Sequence, residues 1–240
     1  MTTLEGKKMV VLGGTSGFGL ATAEALVRER AEVIVASSRA AGVEAAVKRL
    51  SGGSTGHVVD VRDPAQLGQL FARVGAFDHL VFTAGDALAM APLAKVDLAA
   101  SRKAFELRFW GALAAAQQAA PFLRAGGSIV LTTGVVGRRP LKEWAVVASL
   151  TGAIEALTRA LAVELAPIRV NAVCAGVART ALWQNLPEVE REAMFTEIGA
   201  HLPVGRVGLP ADIAEAFLYL LRSDFSTGSI VVVDGGSVLV

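Results

Sequence analysis

The chain has 240 residues, enough for one large α/β domain or two small ones, and 53% of them are hydrophobic against 19% charged, a globular composition that holds a core without staples. A formal net charge of +1 gives no electrostatic case for nucleic acid or an anionic membrane as partner, and the single cysteine, Cys174, excludes an internal disulfide and points to a reducing, cytoplasmic setting. The longest charge-free stretches, 9–23 and 109–123, are 15 residues each, short of the roughly 18 that suggest a membrane span.

In chain order, the pattern predicts a strand at 9–12, a helix at 18–30, a strand at 33–36 and a helix at 40–50. A strand at 57–59 and a helix at 64–74 follow, with Asp63 as N-cap and Pro64 in the first turn. Next come a strand at 79–82, a long helix at 98–123, a strand at 128–131, a helix at 144–165 and a strand at 169–174. A helix at 211–221 and a strand at 230–233 complete the series. Several strands read as unbroken apolar runs, as strands buried on both faces do. Such alternation predicts a single-domain, Rossmann-type doubly wound sheet of about seven parallel strands with helices on both faces. Residues 179–209, rich in charge and carrying Pro187 and Pro203, interrupt the alternation. They read either as a substrate loop or lid, or as a surface connection with one short helix. Lys7-Lys8 and Gly13-Gly14 do not form a signal-peptide layout. His57, His79 and His201 are scattered, so no metal-ligand spacing is present.

The first strand runs into Gly13-Gly14-Thr15-Ser16-Gly17-Phe18-Gly19 and then a helix. Gly13 permits the tight turn, Gly17 a close approach of backbone to a pyrophosphate, and Gly19 close packing of helix on sheet. The helix N-terminus offers free N–H groups and a positive dipole end. The second strand ends in Ser37-Ser38-Arg39 with no acid. A ribose 2′-hydroxyl asks for a carboxylate there, whereas a 2′-phosphate asks for hydroxyls and a guanidinium, so NADP(H) is favoured over NAD(H). The competing reading makes Arg39 a solvated loop residue.

These landmarks together resemble the short-chain dehydrogenase/reductase family. Glycines 13, 17 and 19 are similar to its T-G-x-x-x-G-x-G turn, with Leu12 in the threonine position. Asp60-Val61 matches its adenine-contacting pair, and Thr83-Ala84-Gly85 resembles its Asn-Ala-Gly segment. Arg169-Val170-Asn171-Ala172-Val173 resembles its sixth strand, and Ala175-Gly176 stands for Pro-Gly. Thr180, with Ala178 before it, stands at the threonine near the nicotinamide, and Val232-Val233-Asp234-Gly235-Gly236 resembles the last strand and turn. The resemblance implies an oxidoreductase that passes a hydride between a nicotinamide and a carbonyl or alcohol. It also implies a homodimer or homotetramer built on the two long, alanine-rich helices.

The family's chemistry uses a tyrosine acid/base, a lysine four residues later, a serine and an asparagine. Laid on this sequence, those positions hold Val147, Thr151, Gly134 and Arg108. The only tyrosine, Tyr219, lies in the last helix. A positioned acid/base is worth about 10²–10⁴ in rate and an oxyanion donor about 10²–10³. Of the substitutes, Arg108 can stabilise an oxyanion but cannot donate a proton near neutral pH, and Thr151 can hydrogen-bond the nicotinamide ribose. Thr133 stands beside Gly134, but strand alternation turns it away. Arg138, Arg139, Lys142 and Glu143 read as a solvated charge run within reach of a substrate, and Trp144 as pocket wall or core. Two functions stand. One is an NADP(H)-dependent oxidoreductase with a non-standard site, Arg108 its best catalytic candidate. The other is a catalytically inactive NADP(H)-binding protein or sensor. A non-redox reaction in the same pocket has no positive support.

Overall fold

The computed structural model describes residues 2–50, 52–87 and 90–240. The strands are β1 (Lys8–Leu12), β2 (Glu32–Ser37), β3 (Thr55–Val58), β4 (Phe77–Phe82), β5 (Leu123–Gly134), β6 (Arg169–Ala175) and β7 (Ile230–Val233). The helices are α1 (Gly17–Arg28), α2 (Ala40–Leu50), α3 (Pro64–Val74), α4 (Leu98–Phe105), α5 (Gly111–Ala119), α6 (Ala145–Glu164), α7 (Glu188–His201) and α8 (Pro210–Arg222). The strands form one parallel sheet in the order β3-β2-β1-β4-β5-β6-β7.

Alternate residues of each strand serve opposite faces, which is why the strands read as continuous apolar runs. Val10 and Leu12 join Leu67 and Phe71 of α3, Ala112 and Ala116 of α5, and Ile154 and Leu161 of α6. Met9 and Val11 join Ala23 and Leu26 of α1, Leu50 of α2, and Ile213 and Phe217 of α8. By length and composition α6 could cross a membrane; it packs on β5 and β6 in this fold. Asp63 caps α3 as expected, accepting from the Ala65 and Gln66 N–H groups at 2.9 and 3.3 Å. Buried Arg169 caps the other end of the layer, donating to the carbonyls of Leu220 (2.9 Å) and Leu221 (3.1 Å) at the end of α8.

Three elements differ from the sequence expectation. The helix expected at 98–123 is α4, a single π turn over Glu106–Trp110, α5 and a 3-10 turn over Ala120–Phe122. Pro121 stops it, lacking an N–H and crowding the carbonyl four residues back. Strand β5 begins at Leu123, ahead of the expected 128. The extension bends at Gly126 (φ 80°) and slides Gly127 against the Asp78 carbonyl, where a Cβ would have no room. The 179–209 segment holds a 3-10 turn, Ala181–Trp183, and the 14-residue α7.

Candidate functional site

From β1 the sheet grows outward through β2 and β3, then resumes on the other side of β1 with β4. At such a switch point the two outgoing connections part and leave a crevice at the carboxyl ends of the strands. The glycine turn lies there. Gly13 has φ 83°, and a Cβ on it would sit 2.5 Å from the Ala84 nitrogen. A Cβ on Gly19 would fall on the Gly13 carbonyl oxygen and the Thr83 hydroxyl, so only glycine lets α1 close onto the turn. Ser16 caps α1 without a side-chain hydrogen bond, leaving the first-turn N–H groups directed at the crevice.

The crevice is a cleft of about 410 Å³. It brings together Gly13, Thr15, Ser16, Gly17, Phe18, Ser37, Ser38, Arg39, Asp60, Val61, Thr83, Ala84, Gly85 and Thr180 from the sequence reading. Gly19 lies behind its wall. The Thr15 hydroxyl faces Gly42 at the start of α2, which closes the end of the cleft that holds Ser37, Ser38 and Arg39. Asp60 is gripped by Arg62 (2.9 and 3.1 Å from Nε), and that hydrogen-bonded guanidinium holds its carboxyl below the usual range. Arg62 escaped the sequence reading, although a basic residue two positions from the acid was the available signal.

Beyond the cleft lies an apolar pocket of about 140 Å³, which also holds Ala178 and Thr151. Val147, Leu150 and Ile154 of α6 wall it on one side, with Trp144, Leu182 and Trp183 around them. Trp183 donates from Nε1 to the Ala178 carbonyl (3.1 Å), and with Phe195 and Val207 it forms a small core that Trp144 packs against. Trp144 is therefore both wall and core. From residues 179–209, Thr180, Leu182 and Trp183 line the pocket, and the segment is braced by Arg179 on Glu192 (2.6 Å) and over the Phe195 ring.

Arg108 lines both cavities and is the one charged side chain on the apolar pocket among the described residues. The π turn carries it over β4's end. Its guanidinium covers Gly85, where a Cβ would meet Nη1 at 2.5 Å. Nη2 donates to the Asp86 carbonyl, and the Asp86 carboxylate stands 3.9 Å from Nε. Nε itself is buried with no hydrogen-bond partner among the described residues. Burial lowers the guanidinium's pKa, and Asp86 partly offsets this.

The remaining candidates are otherwise engaged. The Thr151 hydroxyl, expected to face a ribose, donates back to the Val147 and Ala148 carbonyls (both 3.0 Å) and faces Gly137. Its methyl faces Gly134. Thr133 does line the pocket, contrary to simple alternation, because β5 ends at Gly134; its hydroxyl donates to the Thr151 carbonyl at 3.0 Å. Arg138 pairs with Glu155 (2.9 Å) and Arg139 donates to the Ser237 carbonyl (2.8 Å), and neither lines the pocket. Lys142 and Glu143 do not line it either.

A family model described as an SDR-like Rossmann domain matches residues 2–240. Short-chain dehydrogenase/reductase ATR9 of Stachybotrys chlorohalonatus (strain IBT 40285) is 36% identical, covering 100% of both chains. A solved small-chain dehydrogenase in complex with NADPH is 38% identical and superposes with a TM-score of 0.87, over 98% of this chain and 100% of that one. MalC Reductase/Diels-Alderase from Malbranchea aurantiaca, 27% identical, reaches a TM-score of 0.92 over 99% of this chain and 98% of its own. Fold, switch-point cleft and these matches agree: the chain belongs to the SDR-like Rossmann family, the short-chain dehydrogenases/reductases.

Proposed function

We propose that the protein is an NADP(H)-dependent oxidoreductase that acts on a carbonyl or alcohol through a non-standard site centred on Arg108. The observation that carries this reading is the position of Arg108 at the junction of the two cavities, with Nε buried and unpartnered among the described residues. The cleft fits a phosphorylated dinucleotide: its volume is of ligand-site size, the α1 N-terminus suits a pyrophosphate, and Ser37, Ser38 and Arg39 suit a 2′-phosphate. A related structure holds NADPH, which supports the same ligand here. Bound there, the cofactor supplies or accepts a hydride. Thr180 lines both cleft and pocket and Ala178 the pocket, and they orient the nicotinamide end.

The four family positions hold Arg108, Gly134, Val147 and Thr151, so the pocket has no side chain that donates a proton near neutral pH among its described lining. Arg108 places a fixed positive charge against the substrate oxygen in an apolar-walled pocket, where such a charge counts for more than in water. Water supplies the proton. Residues 179–209 serve as the substrate lid. The absence of an acid/base on the lining favours the second reading, an inactive NADP(H)-binding protein or sensor, and activity separates the two. NADPH oxidation is followed across a panel of ketones and aldehydes with wild type and Arg108→Ala. Turnover that falls about 10²–10³-fold in the variant supports the enzyme. NADPH binding without turnover on the whole panel supports the sensor.

A further inference from the structure

Arg108 is an uneconomical residue for a pocket meant only for neutral ligands. A guanidinium taken out of water is destabilising unless an anion and hydrogen-bond acceptors meet it. Here the Asp86 carboxylate stands at 3.9 Å, beyond hydrogen-bond distance, and the only described acceptor is the Asp86 backbone carbonyl. The Arg108 side chain keeps 22% of its surface exposed, and of its five guanidinium N–H donors, Nε is the one both buried and unpartnered among the described residues. Every other described side chain on the pocket is apolar or a neutral polar group, so the lining offers no carboxylate to complete the pair.

We infer that the pocket takes an amphipathic organic anion, a single-ring or short branched carboxylate, with its carboxylate on the Arg108 fork and its apolar body between Val147, Leu150, Ile154, Trp144 and Trp183. Size supports the ring: an apolar cavity of about 150 Å³ takes benzene, and this one is about 140 Å³. Planar, two-oxygen anions match the guanidinium edge in a way that a neutral amide cannot. The inference deepens the proposed function by naming the charge class of its substrate: the carboxylate takes one edge of the Arg108 guanidinium, and the N–H groups left over face the reacting oxygen beside it; it rests on the pocket assigned there.

Benzoate and its neutral counterpart benzamide are the probes. Their binding to the full chain is followed by tryptophan fluorescence and calorimetry, with and without saturating NADP⁺, in wild type, Arg108→Gln and Arg108→Lys. Wild type is expected to prefer benzoate by about ten- to a hundredfold, the range of a charged hydrogen bond. Arg108→Gln is expected to lose that preference while holding benzamide, and Arg108→Lys to keep part of it. Equal affinity for the two probes in wild type overturns the inference without needing any variant to fold. A benzoate preference that survives in folded Arg108→Gln overturns it as well. NADP⁺ binding is read separately: NADP⁺ binding with no benzoate preference removes this inference alone, whereas loss of both removes the proposed function too.

Discussion

Gly85→Ala moves Arg108 without deleting it. The added methyl would sit 2.5 Å from Nη1, 2.7 Å from Cζ and 2.8 Å from Nη2. Ordinary carbon contacts lie near 3.5–4 Å, so the guanidinium must retreat by about 1 Å. It is the free end of a flexible side chain, and Gly85 does not hold a left-handed backbone conformation, so the fold can absorb the change. The cost is an off-rotamer arginine, about 0.5–1.5 kcal/mol, plus a weakened bond to the Asp86 carbonyl of similar size. Stability therefore falls by about 1–2 kcal/mol. A 1 Å misplacement of a catalytic group costs about 10²-fold, so turnover on the best panel substrate should fall by that factor. Urea denaturation, NADPH titration and NADPH oxidation are measured on the same preparation. Full turnover in a folded Gly85→Ala that still binds NADPH would refute the role given to Arg108.

Arg39→Ala should weaken NADPH binding by about tenfold while leaving NADH within a factor of two, because a 2′-phosphate loses a charged hydrogen bond and a 2′-hydroxyl does not; equilibrium titration with both cofactors checks this. Buried His79, 2.8 Å from the Ser128 hydroxyl, has its pKa lowered from 6.5 to about 4, chiefly by burial. Because the folded value lies below the unfolded one, its contribution is complete above pH 6.5 and is lost as pH falls towards 4, by about 3 kcal/mol in all. Urea unfolding of wild type against His79→Gln across that window should show the difference, and identical pH slopes would count against it. We also propose a homodimer or homotetramer built through the exposed small residues of α6, where Ala145, Ser149, Gly152 and Ala156 lie open. A Cβ on Gly152 meets nothing within 4 Å among the described residues, and the position is exposed, so Gly152→Arg should shift the protein to a smaller species in light scattering while leaving it folded.

The parts of this molecule that the sequence announced are those set by local or one-dimensional constraints. Gly13 and Gly19 are required by a turn whose members are neighbours in the chain, and the apolar strands by burial on both faces. The break at Glu106–Trp110 was hidden because 98–123 is alanine-rich and keeps helical spacing, and a π turn alters backbone register without altering composition. The start of β5 was hidden by Gly126-Gly127, which read as a turn although they are the bend of a strand. Helix α7 crowds its charges into its first turns and buries only Phe195 and Gly199, too weak a stripe to announce a helix. For the site, Arg108 was legible by its motif position. Its setting over Gly85 and Asp86 was not, because β4 and the π turn bring together residues more than twenty apart in the chain.

Cofactor binding is decided by titrating wild type with NADPH and NADH, read by energy transfer from Trp110, Trp144 and Trp183 to the nicotinamide. Micromolar NADPH binding is expected, with NADH weaker by about tenfold or more. Binding of neither cofactor would contradict it, reducing the glycine turn to a scaffold feature and removing the ground for any hydride chemistry at Arg108.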